Sequence, residues 1–104
     1  MMDTEKKIRE QIATHPILLY MKGSADFPQC GFSARAVQAI KACGVKFDTV
    51  DVLQNPDIRA VLPGIAEWPT FPQLWVKGEL VGGCDIICEM QDAGELLPLL
   101  KNAI

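Results

Sequence analysis

The spacing of apolar residues changes from one segment of the chain to the next. Near the start, Ile8 and Ile12 recur one turn apart among charged residues, the spacing of a single buried stripe on a helix. Asp3 or Thr4 supplies a cap for its free amides, and His15-Pro16 ends it, because the residue before a proline is pushed out of the helical region. Residues 17–22, ILLYMK, form an unbroken apolar run of strand length, which predicts a strand covered on both faces. After the polar loop GSADFPQ, residues 31–43 place Ala36, Ile40 and Cys43 on one helical stripe, with Gly44 as its stop.

Further on, VKFDTVDV at 45–52 predicts a second strand. Asn55-Pro56 opens a third helix: asparagine caps free amides, and proline at the first helical position forgoes an N–H that would be unpaired anyway. That helix is short, closing near Pro63-Gly64. QLWV, Lys77-Gly78 and ELVG predict a hairpin with a two-residue turn. A last helix begins near Cys84 and carries Ile86, Met90, Ala93 and Leu97 at helical spacing. This order of elements, a parallel crossover followed by an antiparallel hairpin, predicts an α/β fold: a four-stranded mixed sheet flanked by helices on both faces.

With 104 residues and 49% apolar content, one domain over residues 1–104 around one core is expected. The net charge of -3, with basic residues scattered, leaves no electrostatic footprint for nucleic acid or an anionic membrane. The opening segment MMDTEKKIREQIATHP has no long apolar run behind a basic cluster, so a soluble, cytoplasmic protein is expected. Four cysteines, Cys30, Cys43, Cys84 and Cys88, could in principle make a disulfide framework, but a chain this apolar folds around its core without staples, and a reducing compartment is expected. Structural zinc is disfavoured, because no second ligand pair accompanies Cys84 and Cys88 and the single histidine, His15, precedes a proline.

Candidate chemistry centres on PQCGFS, residues 28–33. Cys30 stands where a loop hands over to a helix, and unpaired amides with the helix dipole stabilise a thiolate there. Ser33 occupies the place of the second cysteine in a CxxC pair, so this site cannot resolve a mixed disulfide by itself. Another thiol resolves Cys30, or Cys30 ligates a metal. In WPTFPQ, the Phe71-Pro72 bond is a place for a cis peptide that turns backbone groups toward a ligand. In VGGCDI, the glycines admit close approach, the amides of Cys84 and Asp85 suit a carboxylate, and the Asp85 side chain suits an ammonium. Those are the two charges of an amino-acid head group. Lys22 and Arg59 converge on the same end of the sheet and together suit a second carboxylate. Cys43 is assigned to the core. Cys88, roughly 200° around the last helix from Ile86 at about 100° per residue, is expected to face outward.

The stretches KGSADFPQCGFS, NPDIR, WPTFPQLWV and GELVGGCDI, in this order and spanning nearly the whole chain, resemble a monothiol glutaredoxin of the CGFS class in its short bacterial form. The resemblance implies a thioredoxin fold, glutathione as ligand, and a 2Fe-2S cluster bridged between two protomers of a homodimer. It implies that Cys30 is the glutathionylated and cluster-ligating residue, that Lys22 and Arg59 hold the glycine carboxylate of glutathione, that the Phe71 backbone pairs with its cysteine, and that Cys84 and Asp85 form the γ-glutamyl site. A cluster of this type takes four ligands; two chains supply two thiolates and two glutathione molecules the rest. The role implied is cluster assembly, storage or transfer, with a BolA-like protein and recipient apo iron-sulfur proteins as partners. The alternative is a glutathione-dependent oxidoreductase that removes glutathione from proteins through Cys30, although the loop from Gly23 to Gln29 is of the kind that weakens such exchange in the family. A disulfide between Cys30 and Cys84 or Cys88 stays open at this level.

Overall fold

In the computed structural model, which describes residues 2–104, the apolar run becomes β1 (Ile17–Met21), every residue of which is buried. Its neighbours are β2 (Asp48–Asp51) on one side, parallel to it, and β3 (Gln73–Val76) on the other, antiparallel; β4 (Glu79–Gly82) completes the hairpin and the sheet order β2-β1-β3-β4. A central strand has no solvent face, which is why it is continuously apolar.

Period-two alternation along β1 then divides the core in two. Ile17, Leu19 and Met21 pack with Ala36, Val37 and Ile40 of α2 (Gly31–Ala42), Ile87 of α4 (Cys84–Asp92), and Leu96 and Leu100 of α5 (Leu96–Lys101). Leu18 and Tyr20 point the other way, onto Ile8 and Ile12 of α1 (Met2–Thr14) and Ile58 and Leu62 of α3 (Pro56–Ala66). The expected fold, a mixed four-stranded sheet between helical layers, is the one observed. Leu19 is fully buried at the centre of the first layer, so Leu19→Ala should destabilise the protein by about 2–5 kcal/mol in urea denaturation. A change below about 1 kcal/mol would show that this layer repacks freely.

Three element boundaries depart from the sequence pattern. Helix α3 does not close at Pro63-Gly64 but runs to Ala66, ending on Glu67 in the left-handed conformation, with the Trp68 amide donating to the Pro63 carbonyl at 3.1 Å. Proline removes one intrahelical bond but its φ suits a helix, and Ile65 and Ala66 continue the helix because they pack against the α1 side of the core. The last helix is two helices. Gly94, at φ 73°, breaks it, with Glu95 N donating to Met90 O and Gly94 N to Gln91 O, the paired bonds of a glycine C-terminal motif. The buried positions are therefore Cys84 and Ile87 on α4 and Leu96 and Leu100 on α5, whereas Ala93 and Leu97 are exposed. Strand β2 is shorter than 45–52, since it is an edge with one partner; Val45 and Phe47 instead pack on the core as irregular chain. Among the described residues no helix is long and apolar enough to cross a membrane.

Candidate functional site

The end of β1, the start of α2, the loop before β3 and the start of α4 meet at one end of the sheet. Loop 23–29 is folded back by its own backbone: Ser24 and Phe27 exchange amide bonds at 3.2 Å, Gln29 N donates to Lys22 O at 2.9 Å, and Gly23 N donates to Asp51 Oδ1 at 2.9 Å. This delivers Cys30 to the N-cap position of α2 in extended conformation (φ -151°, ψ 135°). Its half-exposed sulfur lies against the first-turn amides without a hydrogen bond of full cap geometry. The Ser33 amide lowers the Cys30 thiol below its ordinary pKa; slight burial opposes this, and the Phe32 amide, the Lys22 charge and the Ser33 hydroxyl lower it further.

Ser33 has a role that the sequence pattern did not reveal. It is fully buried, and its hydroxyl accepts the Lys22 amide at 3.0 Å, tying the end of β1 to the first turn of α2. The residue that removes the second thiol thereby fixes the position of the first.

A groove of about 690 Å³ runs from this thiol across the sheet end, within the usual size range of small-molecule sites. All six residues singled out from the sequence, Lys22, Cys30, Arg59, Phe71, Cys84 and Asp85, line it. The Phe71-Pro72 peptide is cis, as the motif suggested. Trp68, Thr70 and Phe32 also line the groove and were not singled out. Behind the wall, buried Gln73 donates to the carbonyls of Trp68 (3.1 Å) and Thr70 (3.3 Å) and accepts from Trp75 Nε1 (3.2 Å). That network moors the 68–72 loop to β3; a glutamine in an apolar strand was the available signal. Gly83 sits in a close approach: a Cβ there would stand 3.2 Å from the Pro72 carbonyl oxygen and 3.3 Å from Trp68 Nε1, contacts that a small shift of the 68–72 loop would have to relieve.

The remaining thiols differ from Cys30. Burial raises the Cys43 thiol, which donates to the Ala39 carbonyl at 3.5 Å and packs against the core, and burial followed by the neighbouring Cys88 raises Cys84. Cys88 is half-buried, as Ile86 is, rather than fully outward-facing as expected, and the buried positions of α4 are Cys84 and Ile87. All four cysteines are free. Among the described residues no three His, Cys, Asp or Glu side chains gather as a metal site. Since the thiolate is the nucleophile, alkylation by iodoacetamide at pH 7 should modify Cys30 before Cys43 and Cys84, with a pH midpoint below that of an ordinary thiol. Peptide mapping after short exposure checks this; equal labelling of Cys30 and Cys43 would contradict it.

Comparison with known proteins agrees with this geometry. Residues 17–81 match the family model for glutaredoxin. Glutaredoxin 4 of Escherichia coli K12 is 67% identical over 102 residues, which cover 98% of this chain and 89% of that protein. Reduced poplar apo GrxS14 superposes with a TM-score of 0.80 at 41% identity, over 95% of this chain and 91% of that one. A buckwheat glutaredoxin solved as its glutathione complex shares the fold, with a TM-score of 0.85 at 23% identity over 98% of this chain and 91% of its own. The thioredoxin fold, the family model spanning β1 to β4 and the near-full-length likeness together establish that this chain belongs to the glutaredoxin family.

Proposed function

We propose that this glutaredoxin binds glutathione in the groove and, as two chains with two glutathione molecules, holds a 2Fe-2S cluster as cargo for assembly, storage or transfer. The observation that carries this reading is a single activated, half-exposed thiol in a groove that Lys22, Arg59 and Asp85 also line, and a buried serine where a resolving thiol would stand. One chain offers too few ligands for a cluster. Glutathione has a thiol between two charged ends. In this reading Lys22 and Arg59 bind its glycine carboxylate, the Phe71 backbone pairs with its cysteine, the amides of Cys84 and Asp85 bind the γ-glutamyl carboxylate, and the Asp85 carboxylate binds the ammonium. Its sulfur then lies beside Cys30. The highly exposed Phe27 and Phe32 on either side of Cys30 suit the face that a second chain, a BolA-like protein or a recipient apo iron-sulfur protein covers. A reducing, cytoplasmic setting keeps the four thiols free.

Asp85→Asn keeps the fold and removes one charge from the ammonium site. It should weaken S-methylglutathione binding to the apo protein by about tenfold in calorimetry, the loss of one charge-assisted hydrogen bond. Unchanged affinity would remove Asp85 from the site.

The lowered thiol pKa favours one alternative. In glutathione-dependent reduction Cys30 attacks a glutathionylated protein, and a second glutathione releases the enzyme. Substantial turnover of a glutathionylated peptide by the apo protein would support that activity, whereas a stable Cys30 adduct with little turnover supports the carrier.

A further inference from the structure

The wall of the groove holds a second pair of thiols. Cys84 is the first residue of α4, buried at the groove, and Cys88 follows one turn later, half-buried on the same face of the helix. Residues four apart on a helix have Cβ atoms about 5–6 Å apart, whereas a disulfide needs about 3.5–4.5 Å. The gap is closed by shifting one end of the turn by roughly an ångström or two. Cys84 lies in the first turn, whose amides have no partner within the helix, and it follows Gly82 and Gly83, the former at φ 149°. A shift of that turn breaks few intrahelical bonds, and it must carry with it Gly83, which packs against Pro72 and Trp68. Cys84 also feels Cys88 directly, since its thiol is raised first by burial and then by this neighbour.

We propose that Cys84 and Cys88 are a redox pair that closes to an intrahelical disulfide when oxidised by a low-molecular-weight disulfide. Cys88, the more accessible of the two, loses its proton and its thiolate attacks one sulfur of the small disulfide. A mixed disulfide forms on Cys88 and one small thiolate leaves. Cys84 then loses its proton and attacks the Cys88 sulfur; the protein disulfide forms and the second small thiolate leaves. The two protons end on the two small thiols, so the pair is oxidised and the small disulfide reduced. Closing the pair draws in the turn that presents the Cys84 and Asp85 amides, and the groove loses affinity for its ligand. That consequence rests on the glutathione reading given above, whereas the disulfide itself does not.

The test uses the full chain incubated with glutathione disulfide, followed by blocking of free thiols and tryptic mapping. No lysine or arginine lies between Lys77 and Lys101, so both thiols fall in peptide 78–101. The pair predicts this peptide unblocked and about two mass units lighter than its reduced form. Both thiols blocked, or Cys84 joined to the 23–35 peptide that carries Cys30, would overturn the proposal. Ligand binding is read with S-methylglutathione, which has no thiol to reduce the disulfide, in the Cys30→Ser background, where no adduct forms in the groove. After oxidation, binding should be about tenfold weaker, the equivalent of one charge-assisted hydrogen bond, and adding Cys88→Ser should abolish the oxidative loss. Unchanged binding despite a mapped disulfide would overturn the coupling to the groove. Failure of the reduced protein to bind S-methylglutathione at all would overturn the groove reading and leave the mapped disulfide standing.

Discussion

Cys30→Ser is expected to abolish iron retention after anaerobic reconstitution with iron, sulfide and glutathione, and to abolish the glutathione adduct on apo protein treated with glutathione disulfide. A serine hydroxyl is neither an exchange nucleophile toward disulfides nor a substitute for a thiolate on a cluster. The loss should be complete. The fold should survive, because Cys30 is half-exposed, makes no side-chain cap bond, and occupies the N-cap of α2, a position where serine is favoured. Stability in urea should therefore stay within about 1 kcal/mol of the parent. Iron content and absorbance measured beside a denaturation curve separate the two effects. Parental iron content in a folded variant would remove Cys30 from the site.

Gly23→Ala is expected to be the most damaging change to the approach of the chain to Cys30. Gly23 has φ 90°, and a Cβ there would lie 2.5 Å from the Phe27 carbonyl oxygen and 2.6 Å from the Gln29 amide nitrogen. Both are backbone atoms of the same tight loop, so no rotamer change relieves the contact. Positive φ alone costs an L-residue about 1–2 kcal/mol, and the displaced loop endangers the bonds from Gln29 N to Lys22 O and from Gly23 N to Asp51 Oδ1. A loss of about 2–4 kcal/mol in urea is expected, with loss of the preferential alkylation of Cys30. Gly31→Ala is the control: nothing lies within 4 Å of its Cβ, and alanine favours a helix. Equal behaviour of the two variants would show that the loop does not position the thiol.

The sheet and the groove were legible in the sequence for different reasons. β1 was readable because a strand covered on both faces must be apolar throughout, and α2 because Ala36 and Ile40 repeat at helical spacing. The groove was readable because Cys30, Lys22, Arg59, Phe71, Cys84 and Asp85 carry chemistry that the ends of strands and the starts of helices bring together. Local rules failed where tertiary packing or a single backbone angle decided. Pro63-Gly64 looked like a stop, yet burial of Ile65 and Ala66 carried α3 onward. The stripe Ile86, Met90, Ala93 and Leu97 looked like one helix, yet the left-handed conformation of Gly94 ends α4, and α5 sets its own buried positions at Leu96 and Leu100. Ser33 could be read for the reaction it forbids but not for the amide it accepts, because that partner, Lys22, lies eleven positions away just past the end of β1.

In the proposed carrier, one thiol per chain is completed by sulfur from glutathione. This completion is tested most directly by the native mass of the protein reconstituted without oxygen in the presence of glutathione. A species of two chains, two glutathione molecules and one two-iron, two-sulfur unit is predicted, falling to apo chains when glutathione is removed. A single chain retaining iron, or a two-chain species keeping its cluster with no glutathione bound, would contradict the account.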